Sequence, residues 1–300
     1  MLAVLKRPRD DLVLEAPDGH GRFVQAEGPF TTYERRLEHD PARGVVREST
    51  TYRFTIPWFA WLFALPVRWA LARRWAAPTH PHARHAVPTP WWAPPDRLDP
   101  RGLVVLGLLA AASMSSAFVN TLFTQTVNFA ADDFGVGDAG IGIAGAVVRA
   151  GIVLALPVAV LADRAGRRRM VMAVAFAAPL ITAAGALAPS FPVLVATQAV
   201  GRPLGLALDF LVAVVATEEM PRNSRAYAVS VLAMASGLGA GVAVMALPLA
   251  DLSPSSWRLV YVVALVWLLA AVDIARRLPE TRRFARPHVV APPLDRRRFG

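Results

Sequence analysis

Residues 161–170 read LADRAGRRRM, with about twenty apolar residues before them and another apolar run after. Arg164, Arg167, Arg168 and Arg169 crowd behind Asp163 and around Gly166. On a soluble protein such a stretch is an ordinary solvated loop. Between two runs that are each long enough to cross a bilayer, it is a hairpin joining two membrane helices. Short arginine-rich loops stay on the cytoplasmic side, so the stretch predicts orientation as well as fold.

Working outward, residues 102–276 divide into six apolar segments: Leu103–Phe129, Ile141–Ala162, Met170–Ala188, Pro192–Thr217, Ala226–Leu249 and Trp257–Ile274. Only helices and closed barrels satisfy every backbone group in lipid, and these runs lack the alternation of barrel strands. The expected fold class is therefore an all-α membrane protein, a six-helix transmembrane bundle. Arginines occupy the second break, the fourth (Arg222, Arg225) and the residues after the last helix (Arg276, Arg277, Arg282, Arg283, Arg286). The first, third and fifth breaks hold Asp132, Asp133, Asp138 and Asp251 and no arginine. That pattern places both termini in the cytoplasm, with the bundle in the plasma (inner) membrane.

Composition agrees. The 300 residues are 55% hydrophobic with mean hydropathy +0.40, against about 45–50% apolar in soluble domains. Charge gathers in 1–101 and 275–300. A net charge of +10 and a pI near 11.2 raise the question of nucleic acid. The arginines flank apolar segments instead of forming one basic face, which argues against it. All 32 basic residues except Lys6 are arginine, the mark of a high-GC bacterial coding bias. Cysteine is absent, which excludes disulfides and thiolate chemistry. The apolar run of MLAVLKRPRDD is too short for a secretory signal.

Upstream of the bundle, residues 1–77 form a small cytosolic segment. GRFVQAEG, TTYERRLEHD and VVRESTTYRFTI alternate as three short strands. PWFAWLFALPVRWALARRW is too short and too proline-interrupted to span, and its tryptophans and arginines suit a helix at headgroup level. Residues 78–101 are a proline-rich, semi-rigid linker, and 277–300 a cytoplasmic tail. Over residues 20–75, GPFTTYERRLEHD…TTYRFTIP weakly resembles the last strands and final helix of START-like, polyketide-cyclase-type ligand-binding domains.

VLADRAGRRR resembles the signature between helices two and three of the major facilitator superfamily, G-x-L-a-D-R-x-G-R-R-R, with Ala159 where the first glycine would stand. ATEEMPRNSRA is similar to that family's E-x-x-P-x-x-x-R turn through Glu218 or Glu219, Pro221 and Arg225, and RRLPETRRF to its closing P-E-T. The resemblance implies alternating access, with Asp163, Arg164, Gly166, Arg167, Arg168, Glu218, Glu219 and Arg225 forming a cytoplasmic gating motif. It also implies twelve helices in two bundles. PPLDRRRFG looks like the junction before a seventh helix, so the expected partner is a missing six-helix half or a second chain. The fourth-helix signature is less clear: Gln198 sits at its arginine position and Arg202 one turn later. The glycine–proline antiporter motif is missing, while GLGAG (237–241) offers a small-xxx-small pair for packing.

Ser113, Ser116, Asn120 and Thr124 make one polar stripe on the first helix. Three charges stand inside the predicted spans: Arg149, Arg202 and Asp209. Intramembrane charges default to function, and Asn120, Arg149 and Arg202 lie roughly 15 Å from the outer ends at about 1.5 Å per residue, near the midplane where carriers keep their sites. Two arginines against one carboxylate leave positive charge for an anionic substrate, or for acids of a second half, to neutralise. Asp209 is either the proton-coupling group or an ion partner of Arg202 or Arg149. The substrate or proton pathway is thus expected among Asn120, Thr124, Arg149, Gln198, Arg202 and Asp209.

GVGDAG (135–140) fits a dinucleotide fingerprint but lacks a strand–helix unit around it. His80, His82 and His85 lie in the linker without the preorganisation a metal site needs. No nucleophile–base set, cofactor motif or phosphate loop appears. The function expected is secondary transport of a small solute, with an organic anion as one candidate. The alternative is a membrane-anchored ligand-binding protein whose START-like segment carries the activity.

Overall fold

The computed structural model describes residues 7–19, 21–40, 45–73 and 90–280. Among these residues six helices are long and apolar enough to cross a membrane: α2 (Pro100–Phe134), α3 (Asp138–Ala165), α4 (Arg167–Leu187), α5 (Phe191–Glu219), α6 (Arg222–Leu252) and α7 (Trp257–Arg277). Most outrun their hydropathy-based spans by a turn or so at one end or both. For α2 the reason is local. The Asp99 carboxylate accepts from the Gly102 amide at 2.7 Å and Pro100 sits in the first turn, while left-handed Gly135 (φ 66) closes the far end. Between α3 and α4 the chain reverses at Gly166 alone, with φ 98 and ψ 136, a conformation glycine adopts without a Cβ penalty.

α2 is the axis of the bundle: 89% of its apolar window is enclosed, against 17% for α3. α2 packs along α6 and α5, and α4 along α5. Two apolar cores result. Leu108, Leu109, Val171, Leu208 and Ile274 fill the arginine-rich end, and Phe118, Leu122, Leu194, Trp257 and Tyr261 the opposite one. Gly239 lets α6 seat on α2, because a Cβ there would collide with the Met114 backbone. The small-xxx-small pair read in GLGAG does not make this contact: Gly237 and Gly241 face open space, and the glycine between them does the packing.

Before the bundle stands a four-stranded antiparallel meander, β1 (Leu14–Pro17), β2 (Arg22–Glu27), β3 (Phe30–Asp40) and β4 (Val45–Phe54), followed by helix α1 (Ala60–Ala72). β1 has no counterpart in the three-strand expectation, since LEAP is too short to show alternation. Val67 and Leu71 of α1 pack on Val13, Phe30 and Tyr33, while Trp61, Leu65 and Trp69 lie exposed on the other side. The small domain is cross-linked by buried charge. Arg35 donates to both carboxylate oxygens of Glu15 (2.8 and 2.6 Å), which also accepts from the Tyr33 hydroxyl and the Arg9 amide. The Arg9 guanidinium in turn caps the Ala70 and Leu71 carbonyls of α1.

Residues 90–99, the end of the proline-rich stretch, dock on the bundle: the Asp96 amide donates to Ser224 Oγ at 3.0 Å and Tyr227 donates to the Trp92 carbonyl at 3.1 Å. His80, His82, His85, the Thr281–Gly300 tail and its arginines lie outside the described residues.

Candidate functional site

At the end of the bundle where LADRAGRRRM lies, α3 stops and α4 starts within one residue, which points the arginines of the hairpin at neighbouring helix ends. Arg167 pairs with Asp163 one turn back (3.1 Å) and with Glu218 at the end of α5. Arg168 donates to the Leu278 carbonyl (2.5 Å) and the Ala275 carbonyl (3.0 Å), and its amide donates to Glu280. Cationic donors on the last carbonyls of a helix satisfy orphan acceptors and complement the helix dipole. Arg101, at the start of α2, reaches Glu219 (3.5 Å) and the Glu280 carbonyl. The hairpin thereby ties α5 and α7 together, and Arg101 brings in α2. Arg164 and Arg225 are exposed. Glu219 meets Arg101 rather than Arg225, so the two acids of the fourth break serve different arginines. Arg101 stood outside the motif and left no signal in the sequence reading.

At mid-depth, Ser116 donates to the Gly205 carbonyl on α5 (2.7 Å) and accepts from Asn120 (3.3 Å). Gly205 permits this approach, since a Cβ would sit 3.1 Å from Asn120 Oδ1. Asp209, one turn along α5 from Gly205, lies close to the same Ser116. Arg149 and Arg202 lie within electrostatic reach of each other. Among the described residues neither of them, nor Asp209, forms a salt bridge within 4.0 Å. The pairing of Asp209 with an arginine, one alternative of the sequence reading, is thus not the arrangement found. Gln198 is wholly buried and donates to the Thr182 carbonyl (3.3 Å), filling the space opposite Gly185 between α4 and α5. Thr124 is exposed one turn beyond Asn120. Asn120 Oδ1 and Gln198 Oε1 are buried acceptors with no hydrogen-bond partner among the described residues.

Two charges inside the sixth span escaped the count of three. Arg258 donates to the Ala186 and Ala188 carbonyls (3.0 and 2.7 Å) at the end of α4, and Trp257 donates to Asp133 (3.0 Å). Asp273 pairs with Arg277 (2.8 Å) and accepts from the Trp58 indole (3.1 Å). Both close helix ends, one on each side of the bundle.

Six spans, one of them the central helix, with an arginine hairpin clasping the ends of neighbouring helices, define a polytopic membrane protein built as one half-bundle of the carrier fold. The chain belongs to the Major Facilitator Superfamily, whose family model matches residues 106–294. Two solved structures are similar in fold. One is a bacterial homolog of the human lysosomal transporter Spinster, inward-facing and unoccupied: 22% identical, TM-score 0.52, covering 61% of this chain and 44% of that one. The other is the inward-open xylose transporter XylE from E. coli: 16% identical, TM-score 0.52, covering 61% and 49%. The chain therefore spans a little under half the length of either. No curated protein matches it in sequence.

Proposed function

We propose that the chain supplies the first half of a secondary transporter that moves a small anionic solute by alternating access, its cavity completed by a second six-helix bundle. The observation that carries this reading is the pair Arg149 and Arg202. They share a depth about 16 Å from one end of their helices, they sense each other's charge, and no carboxylate of the described residues pairs with either. Intramembrane cations held without a counter-ion are costly, and an anion entering between them lowers that cost. Asp209, seven residues along α5 and beside Ser116, is the group available for proton coupling. Asp163, Arg167 and Glu218 act as the latch of the cytoplasmic end, with both termini inside and the bundle in the plasma membrane. Enzymatic chemistry plays no part in this reading.

The test is flux in proteoliposomes holding both halves of the transporter. Arg149→Gln and Arg202→Gln are each expected to abolish uptake of organic anions while leaving the protein folded and inserted. Anion uptake that survives both substitutions refutes the anionic-substrate reading.

A further inference from the structure

A cavity of about 390 Å³ lies away from the transport pathway, where the small domain and the docked 90–98 segment meet the bundle. Its floor is the first part of α2, with Leu103, Leu106 and Ala110. One wall is α6, with Val231, Met234 and Leu238, and the roof is α1 with Phe63 and Val67. That volume falls within the roughly 300–1,000 Å³ of ordinary small-molecule sites. The cavity exists because Gly107 lets the small domain seat closely on α2: a Cβ there would stand 2.7 Å from Pro57 Cδ.

We propose that this cavity holds one acyl chain of a membrane phospholipid, with the headgroup left outside at the level of Trp91 and Arg97. The polarity of the walls is the first argument. Apart from indoles, only Arg97, Tyr227 and Ser230 bring nitrogen or oxygen side chains, and each is already engaged. Arg97 donates to the Asp11 carbonyl (3.1 Å) and pairs with Asp10, Tyr227 donates to the Trp92 carbonyl (3.1 Å), and Ser230 donates to the Ala226 carbonyl (3.0 Å). A polar ligand would lose its hydration there without recompense, whereas an alkyl chain gains from leaving any polar phase.

Depth is the second argument. From Tyr227 to Leu238 the α6 wall runs roughly 16 Å at about 1.5 Å per residue. That matches one leaflet of a hydrocarbon core about 30 Å thick. The third is access. Met234, Leu238 and Leu62 are lining residues that are themselves 70%, 50% and 42% exposed. The cavity therefore opens along the flank of α6, at the depth where lipid tails lie, and the exposed Trp61 and Trp69 of α1 mark the headgroup level beside it.

The test uses the whole chain reconstituted into phosphatidylglycerol vesicles that carry a diazirine on one acyl chain, with photolabelled peptides mapped by mass spectrometry. Adducts are expected to concentrate on residues 103–110 and 227–238. Val231→Trp, which fills the cavity, is expected to reduce them about ten-fold. Val193→Trp, at an exposed site near the start of α5, is expected to leave them unchanged. If Val231→Trp fails to fold, Ser230→Phe replaces it, with an unchanged melting temperature as the check. Label spread evenly over the bare flank of α3, label insensitive to filling, or labelling by diazirine-palmitate that exceeds labelling by the phospholipid each overturns the proposal. Loss of all label when a second six-helix half is supplied overturns it too, because the occupant would then be protein.

Discussion

Arg167 has two carboxylate partners, and the structure predicts that they are worth very different amounts. Its side chain is 18% exposed, that of Glu218 8%, and that of Asp163 71%. An exposed pair one helical turn apart contributes about 0.3–0.5 kcal/mol. A largely enclosed, charge-assisted bond contributes about 1.5–3 kcal/mol, and its loss leaves a guanidinium short of a partner. Glu218→Gln preserves shape and an acceptor oxygen while removing the charge, so the expected loss is about 2 kcal/mol. At about 2–4 °C per kcal/mol for a bundle of this size, that is about 4–8 °C in melting temperature, measured on the purified chain in detergent. Asp163→Asn is expected to shift it by under about 2 °C. Salt separates the two further: the exposed pair is screened within a Debye length of about 8 Å at 0.15 M, the enclosed one hardly at all. Equal losses from both substitutions, or a coupling between Arg167→Met and Glu218→Gln indistinguishable from zero in a double-mutant cycle, would refute the reasoning. The contrast also bears on transport. If Asp163→Asn abolishes flux in a two-half transporter while barely moving stability, the aspartate acts on the balance between states and not on folding.

Gly239→Ala is expected to destabilise by about 2 kcal/mol or more through the forced separation of α6 from Met114. Gly241→Ala, on open space, should be neutral or stabilising by up to about 1 kcal/mol from helix propensity, and thermal melts of the two variants decide it. Gly166→Ala and Gly166→Asn should each cost about 1–3 kcal/mol in a thermal melt, because φ 98 with ψ 136 lies outside the left-handed region that asparagine tolerates. Burial alone would raise the Glu15 carboxyl, but hydrogen bonds from Arg35, Tyr33 and the Arg9 amide outweigh it and hold the group below its ordinary range. A depressed carboxylate contributes stability that is present above its unfolded pKa of about 4.3 and lost as pH falls through the folded value. Acid should therefore melt the small domain below about pH 4, read as loss of strand circular dichroism, and Glu15→Gln should lower its stability at neutral pH and flatten that acid transition.

What the sequence made legible follows from which physical constraints are local. A span of lipid-compatible residues and a reversal such as Gly166 are each decided within a few positions, so the six helices and the basic end of the bundle could be read directly; the Asp99–Pro100 cap is equally local, yet lies in the stretch read as linker. Contacts decided by a distant partner could not. Glu218 and Glu219 are adjacent and chemically identical, yet one faces Arg167 and the other Arg101, because successive residues on a helix point about 100° apart toward different neighbours. Arg35 lies on the inward face of β3, where alternation predicts an apolar residue. Glu15, on a strand too short to announce itself, makes that burial tolerable, with Glu48 and the Phe23 ring adding to it. Arg258 and Asp273 were hidden by the hydropathy of the run that contains them, although each serves a helix end. The same logic sets Arg149 and Arg202 apart. Arg258 and Asp273, the other charges just named within the apolar runs, each meet a carbonyl or an opposite charge. Among the described residues Arg149 and Arg202 have no salt-bridge partner, and it is this imbalance that the proposed anionic solute would relieve.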